Sequence, residues 1–424
     1  MSLNPANGRR RLTQAEAEVF VSAHEKFVTG KQGGKRAVLR FLDLSGLDLT
    51  GRNLTDADFT GSVFDGARMA KVQMERAALF GCEMRKADLR HANLRRADLR
   101  GVSLRGANLS MADLTGADFR EGRIGIPHPR KGLDVLTHED RAASMENTLF
   151  RGAKLDESQM EGVTAFKADF SDCSLKGAKL TNANLKEANL SGALLSGAQL
   201  SGTNLAGASL QNAVLAGVNI EVAMIVGANL AGCLRDPTDE AREQAAGLFA
   251  QAQAAHTWCE SKGTQGARAV FDGQDLRPLG GKMKGLRLTG LSARGACCVG
   301  IDFSGCQLQG ANFEASDLRG ANFAGADLTG ARFTGANLTN TQLREAILRP
   351  LPLVTGRTAP VNLHSARARY ANFYAADLRE AVLESADLRG ANLTSARLDK
   401  ANLKQTNLDG AIGLPEHLAP AAAA

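Results

Sequence analysis

The sequence predicts an all-β solenoid, a chain wound in short walls around a narrow apolar core. Three observations predict it: Leu or Phe recurs at every fifth position through most of the 424 residues, the position two before it is usually Ala, and Asp or Asn stands between them. The run Ala87-Asp88-Leu89-Arg90-His91-Ala92-Asn93-Leu94 shows the unit. On an α-helix five residues advance about 500°, so successive Leu positions step around the axis and form no stripe. On a flat strand the side-chain period is 2, and an odd repeat would send successive Leu residues to opposite faces. A chain that turns once per repeat buries Leu and its Ala together and leaves the other three residues outside. Gly often follows two after the Leu, as in Leu114-Thr115-Gly116 and Leu328-Thr329-Gly330, where it accepts a tight corner.

With this unit the chain resembles the pentapeptide repeat family, whose motif is A(D/N)LXX. The resemblance implies a right-handed quadrilateral β-helix with four repeats per coil, each coil adding about 4.8 Å of length. It also brings functional expectations, because the best-understood relatives protect DNA gyrase through rods that resemble duplex DNA in size and acidic surface.

The elements follow in order. Residues 1–40 are expected to form a helical cap: Thr13-Gln14-Ala15-Glu16 is a capping-box pattern, and Leu12, Val19, Ala23 and Phe27 form an apolar stripe. Residues 41–235 form a first solenoid. Its inward positions fall on numbers ending in 4 or 9 from Leu44 to Phe119 and on 0 or 5 from Phe150 to Leu230. The interruption at 120–148 holds Gly125-Ile126-Pro127-His128-Pro129-Arg130-Lys131-Gly132 and reads as an exposed loop. Residues 236–270 are a second helical cap, entered at Asp236-Pro237, with Ala241, Ala245, Leu248, Ala252 and Ala255 at helical spacing and Gly263 as a stop. Residues 271–412 form a second solenoid, with a Pro-containing loop at 349–360, and 413–424 are a tail.

The two halves read as copies. Ala23-His24 matches Ala255-His256, and Arg36-Ala37-Val38 matches Arg268-Ala269-Val270; after two extra residues Leu54-Thr55 matches Leu288-Thr289. The expected architecture is therefore two tandem solenoids, about eight and six coils long, each with an N-terminal helical cap, because a solenoid end exposes its core and unpaired strand edges. The tail, Ala411 to Ala424 with Pro415 and Pro420, promises a poor cap for the last coil, so a homodimer through the C-terminal end is expected.

Composition bounds the function. Formal charge is +6, from 51 Lys and Arg against 45 Asp and Glu, and this opposes mimicry of DNA by the whole surface. No apolar run is long enough for a membrane span, and Met1 to Arg11 has no hydrophobic segment after its arginines, so a soluble cytoplasmic protein is expected. Of seven cysteines, Cys82, Cys173, Cys233 and Cys306 fall at the inward Ala position and Cys298 at the Leu position. They read as packing residues, which suits a reducing compartment.

Candidate functional residues are few. Arg85, Lys86, Arg90, His91, Arg95, Arg96, Arg100 and Arg105 occupy outward positions of consecutive repeats, a basic band for an acidic partner, with Asp88 and Asp98 interleaved. A solvated, salt-bridged wall is the plainer reading. Aromatic residues for base stacking are missing from the band, which speaks against nucleic acid. In the first interruption Pro127, His128, Arg130 and Lys131 are candidate contacts, since loops on a rigid scaffold carry specificity. Gly30-Lys31-Gln32-Gly33-Gly34-Lys35-Arg36 follows a helix and lacks the Ser or Thr of a phosphate loop, so it reads as a helix stop and connector. His24 and His256 recur without a nucleophile or paired carboxylate and read as structural. No catalytic, cofactor or metal constellation stands out. The favoured function is a non-catalytic interaction scaffold for a protein partner, with topoisomerase binding as the alternative and direct nucleic-acid or anionic-surface binding after it.

Overall fold

The computed structural model describes residues 8–128, 131–354 and 356–414, without the side chains of 127 and 132–136. The expected tail lies outside the described residues from Pro415 onward. Four columns of parallel bridges wind through the repeats, and bridged partners are 20 positions apart, four five-residue walls per coil: Asp48 pairs with Arg68, Asn53 with Gln73, Asp58 with Ala78, Val63 with Glu83. Each wall gives one bridging residue per coil.

One repeat explains the rest. The Leu side chain fills the core, where Leu54, Leu99, Leu288 and Leu338 have no solvent exposure. The Asp or Asn before it accepts the N–H two residues on, as Asn53 does from Thr55 and Asn392 from Thr394, which closes the corner as an Asx turn. The residue two after the Leu then takes a left-handed conformation, φ 63° at Gly101 and also 55° at Lys86 and 59° at His91. Phe pairs stack one coil apart, Phe150 on Phe170 at 4.8 Å and Phe303 on Phe323 at 5.0 Å, close to the strand spacing of a sheet.

The inward Ala position tolerates small polar residues for a definite reason. The thiols of Cys82, Cys173 and Cys306 donate to the carbonyls of Phe59, Phe150 and Met283, and the Thr203 hydroxyl donates to Leu180. Each reaches an inward residue of the preceding coil. Burial pushes the Cys82 thiol up to about 12 and the Cys306 thiol up to about 11, so both stay neutral.

The chain divides into two compact units, Met1–Asp236 and Pro237–Ala424. In the first, β1 (Arg10–Arg11) precedes α1 (Gln14–Val28), and β1 pairs in parallel with β2 (Leu42–Asp43). Thr13 and Glu16 close the capping box. The stripe expected on α1 is corrected: Val19 is 69% and Phe27 46% exposed, and the helix buries Ala17, Val21 and His24 instead. The reason lies in the coil beneath, whose first backbone groups have no preceding coil to pair with. Gln14 accepts from the Asp48 N–H and donates to its carbonyl, Glu25 accepts from the Asn53 N–H, and His24 Nδ1 accepts from the Ala37 N–H. The face turned to the coil is therefore the one that carries Gln14, His24 and Glu25 beside the buried Ala17 and Val21.

Asp43, Val63, Glu83, Ser103, Ser144, Thr164, Asn184, Asn204 and Met224 make a nine-rung column. The insertion at 120–148 is a second correction, because its centre is an antiparallel hairpin, β3 (Gly122–His128) against β4 (Gly132–Arg141). The coil bridges across it, Ser103 to Ser144.

In the second unit α2 (Asp239–Glu260) buries Ala241, Leu248, Ala252 and Ala255, as its spacing requires. Under the alignment of the halves, Leu248, Ala252 and Ala255 correspond to Glu16, Phe20 and Ala23, one residue away from the face α1 buries. That is a roll of about 100°. His256 accordingly accepts from the Arg287 N–H rather than occupying the buried place of His24. The interruption at 349–360 is again a hairpin, of β5 (Leu351–Pro352) and β6 (Thr358–Ala359). Asp275, Cys297, Asp317, Asn337, Arg367, Asp387 and Asn407 form a seven-rung column.

Candidate interaction surface

The two hairpins are seated by one device. Three corners stacked 20 residues apart are Gly61, Gly81 and Gly101, all at positive φ, and they leave a groove along the edge of the coils. Ile124 of β3 fills it, buried to 2%; a Cβ on Gly101 would stand 2.6 Å from its Cδ1. The Arg141 guanidinium at the end of β4 donates to the carbonyls of Gly101 at 2.7 Å and Gly81 at 2.9 Å. Arg9, 4% exposed, donates to the Gly61 carbonyl at 2.7 Å, so the N-terminal segment grips the same column. In the second unit Leu351 of β5 lies on Gly330, where an added Cβ would be 2.5 Å from its Cβ, and near Gly310.

When the two halves are aligned, the hairpins leave from non-equivalent walls of their own solenoids. The first leaves the coil after Phe119 and the second after Leu348, and the alignment of the halves maps Leu348 onto Leu114, one repeat earlier. The glycines that receive them mark the two positions, Gly81 and Gly101 against Gly310 and Gly330.

Of the expected contact residues in the first hairpin, His128 and Lys131 are exposed at its tip, with the Lys131 N–H donating to His128 Nδ1. Pro127 pairs with Leu136 in the ladder, and Arg130 lies outside the described residues. At the second tip Leu353 is 44% exposed and Val354 fully exposed.

The basic band is largely neutralised. Arg90 and Arg100 each clasp the carboxylate two residues before, Asp88 at 2.7 Å and Asp98 at 2.8 Å. The same Asp also accepts the arginine's own N–H, so Asp-Leu-Arg closes corner and ion pair together. Arg90 holds the Asp88 carboxyl below the usual carboxylate range. Arg85 meets Asp65 and Glu83, Arg95 meets Asp113 at 3.2 Å, and Arg105 meets Glu146 at 3.5 Å. Arg96 has no ion pair among the described residues. Burial pulls His91 down to about 4, so it adds no charge near neutral pH. Sequence reasoning missed the anchors Ile124, Arg141 and Leu351; the alternation Arg123-Ile124-Gly125-Ile126 is the signal that pointed to a strand.

Among the described residues no cluster of His, Cys, Asp or Glu could hold a metal ion, and no helix is long and apolar enough to cross a membrane. No disulfide joins any of the seven cysteines, all of which lie among the described residues.

Coils of five-residue walls, closed by Asx corners and bearing hairpins at glycine grooves, define a repeat solenoid. The chain belongs to the pentapeptide repeat family, whose model matches at 37–79, 82–120, 168–205, 193–232, 287–323, 296–335, 311–349, 361–394 and 376–412. The known structures of that family are right-handed quadrilateral β-helices. No curated protein is similar enough to count as a match. Similar solved structures include a trypsin-treated variant of QnrB1, a plasmid-mediated fluoroquinolone resistance protein, at 18% identity and TM-score 0.24, covering 46% of this chain and 91% of that one. HetL, involved in heterocyst differentiation regulation in the cyanobacterium Nostoc sp. strain PCC 7120, is 20% identical over 92% of this chain and 94% of its own, with TM-score 0.14. Rfr23 from the cyanobacterium Cyanothece 51142 is 29% identical over 26% of this chain and 63% of its own, also with TM-score 0.14. These likenesses say nothing of what this chain binds.

Proposed function

We propose that the protein is a non-catalytic scaffold of two tandem solenoids, each closed at its N-terminal end by a helix, whose inserted hairpins meet a partner protein in a reducing, cytoplasmic setting. The observation that carries this reading is the division of labour within the first hairpin. Its base is pinned by Ile124 and Arg141 to the rigid coil, while His128 and Lys131 at its tip are exposed. A pinned base holds an exposed tip in one place and lowers the ordering cost of binding. The helix side chains that take up the first unpaired backbone groups of the first unit support the capping role.

The test replaces each hairpin by a short Gly-Ser turn, singly and together, and compares partners captured from the native cell extract. The reading expects a partner lost with one hairpin and kept by a triple charge reversal of Arg90, Arg95 and Arg100. A partner kept by the double replacement overturns it. Purified gyrase is a defined probe of the alternative, and relief of a gyrase poison by this protein would replace an unspecified partner with a topoisomerase.

A further inference from the structure

One group of cations without ion pairs lies outside the band, around the second hairpin. Between Glu345 and Asp377 the chain contains no acidic residue, yet it carries Arg349, Arg357, His364, Arg367 and Arg369. Arg349, Arg357 and Arg367 are exposed and have no ion pair among the described residues. In the coil that follows, Asp377 is already held by Arg379 at 2.6 Å.

The second hairpin projects from this coil. Its turn is tight: the Gly356 N–H donates to the Leu353 carbonyl at 3.1 Å, the Leu353 N–H donates to the Arg357 carbonyl at 2.8 Å, and Gly356 sits at φ 71°. That is a hairpin turn with a bulge at a left-handed glycine. It lifts Val354 fully into solvent, with Leu353 44% exposed beside it. Arg357 stands across the strand from Leu353, and Arg349 stands at the root. From tip to root the order is aliphatic and then cationic.

We propose that this hairpin docks the protein on an anionic lipid surface, with Leu353 and Val354 entering the acyl boundary and Arg349 and Arg357 meeting the headgroups. A bare aliphatic tip carries a solvation cost that any apolar phase relieves. A collar of unpaired arginines selects an apolar phase with a negative rim, as an anionic leaflet offers. Two aliphatic side chains and two arginines make a weak, reversible attachment rather than an anchor. The inference rests on the reading that the hairpins carry the contacts, and it assigns the second of them a surface instead of a protein.

The experiment is co-sedimentation of the full chain with vesicles of phosphatidylcholine alone or with about one third phosphatidylserine. Binding is expected with the anionic vesicles only and should fall as salt is raised. Val354→Asp should lower the bound fraction about tenfold, and the pair Arg349→Gln with Arg357→Gln by a similar factor. All three side chains are exposed, and an unchanged melting curve shows that the fold is intact. Glu380 occupies the same corner one coil further on, so Glu380→Gln should strengthen binding. Absence of binding to anionic vesicles overturns the proposal. So does binding that Val354→Asp leaves untouched, which would place the contact elsewhere on the coils. A protein partner that Val354→Asp releases, without vesicle binding, overturns it in favour of a protein pocket. The scaffold reading fails separately, by partners that survive removal of both hairpins.

Discussion

At the scale of single residues the corner two after each Leu decides most. Most repeats place a left-handed residue there, and many use a residue other than glycine, such as Ala315 at φ 57° and Ala375 at φ 54°. The left-handed region costs an L-residue roughly 1–2 kcal/mol, part of which glycine returns as flexibility of the unfolded chain. Ala315→Gly should therefore raise stability by up to about 1 kcal/mol in a denaturant titration. Gly101→Ala should do the reverse and more, lowering stability by about 2 kcal/mol, since the new Cβ meets Ile124 as well as the wrong φ. If both changes are neutral, the corner is not the constraint it looks to be. The distinction was partly legible. Glycine at a corner was evident from sequence, but only the hairpin shows why Gly81 and Gly101 have no side chain while Lys86 and His91 do.

Among the elements α1 is the most sensitive to pH. His24 is fully buried; Nδ1 accepts the Ala37 N–H, so Nε2 carries the proton and donates to the Thr55 carbonyl at 2.9 Å. Desolvation lowers its pKa from 6.5, with Arg36 adding to the shift and Asp56 and Glu25 opposing it. The unfolded chain therefore takes up the proton more readily than the folded one. The contribution of His24 is complete above the unfolded pKa and is lost as pH falls below it, by no more than about 1.4 kcal/mol per pH unit. Protection factors of residues 14–28, corrected for the intrinsic exchange rate, should fall from pH 7 to pH 5, while those of α2, which buries no histidine, should change less. Equal behaviour of the two helices would remove His24 as the cause. Glu25, held down by Arg52, and Asp56, held down by Arg76, act in a lower window, losing their contribution only as pH falls through the carboxylate range. The hairpin base gives a second element-scale expectation: Ile124→Ala should loosen exchange across β3 and β4 and cost about 2–4 kcal/mol there, with the coil amides unchanged.

At the scale of the whole molecule the five-residue period was legible because each repeat restates the same three demands, an apolar Leu, a small Ala and an Asx corner. The hairpins were not, because each occurs once and its anchor gains meaning only from glycines tens of residues away. The face of α1 was misjudged for a related reason. Its apolar periodicity is real, but the open backbone edge of the first coil asks for Gln14, His24 and Glu25, a demand absent from the helix's own sequence. The division into two units carries the largest consequence. Two separate cores lie in the chain, one running from Leu12 to Ile220 and one from Leu248 to Leu393. Repeats stabilise only their neighbours, so a defect in one core is felt within its own unit. Phe313 has no solvent exposure and packs against Phe303, Phe323 and Phe333. Phe313→Ala should cost about 3–5 kcal/mol in the second unit alone. In a denaturant titration followed by hydrogen exchange, residues 271–412 should lose protection at lower denaturant, while 41–235 keep their wild-type midpoint. A common shift of both would mean that the two cores fold as one, and the tandem arrangement would then be a single cooperative solenoid.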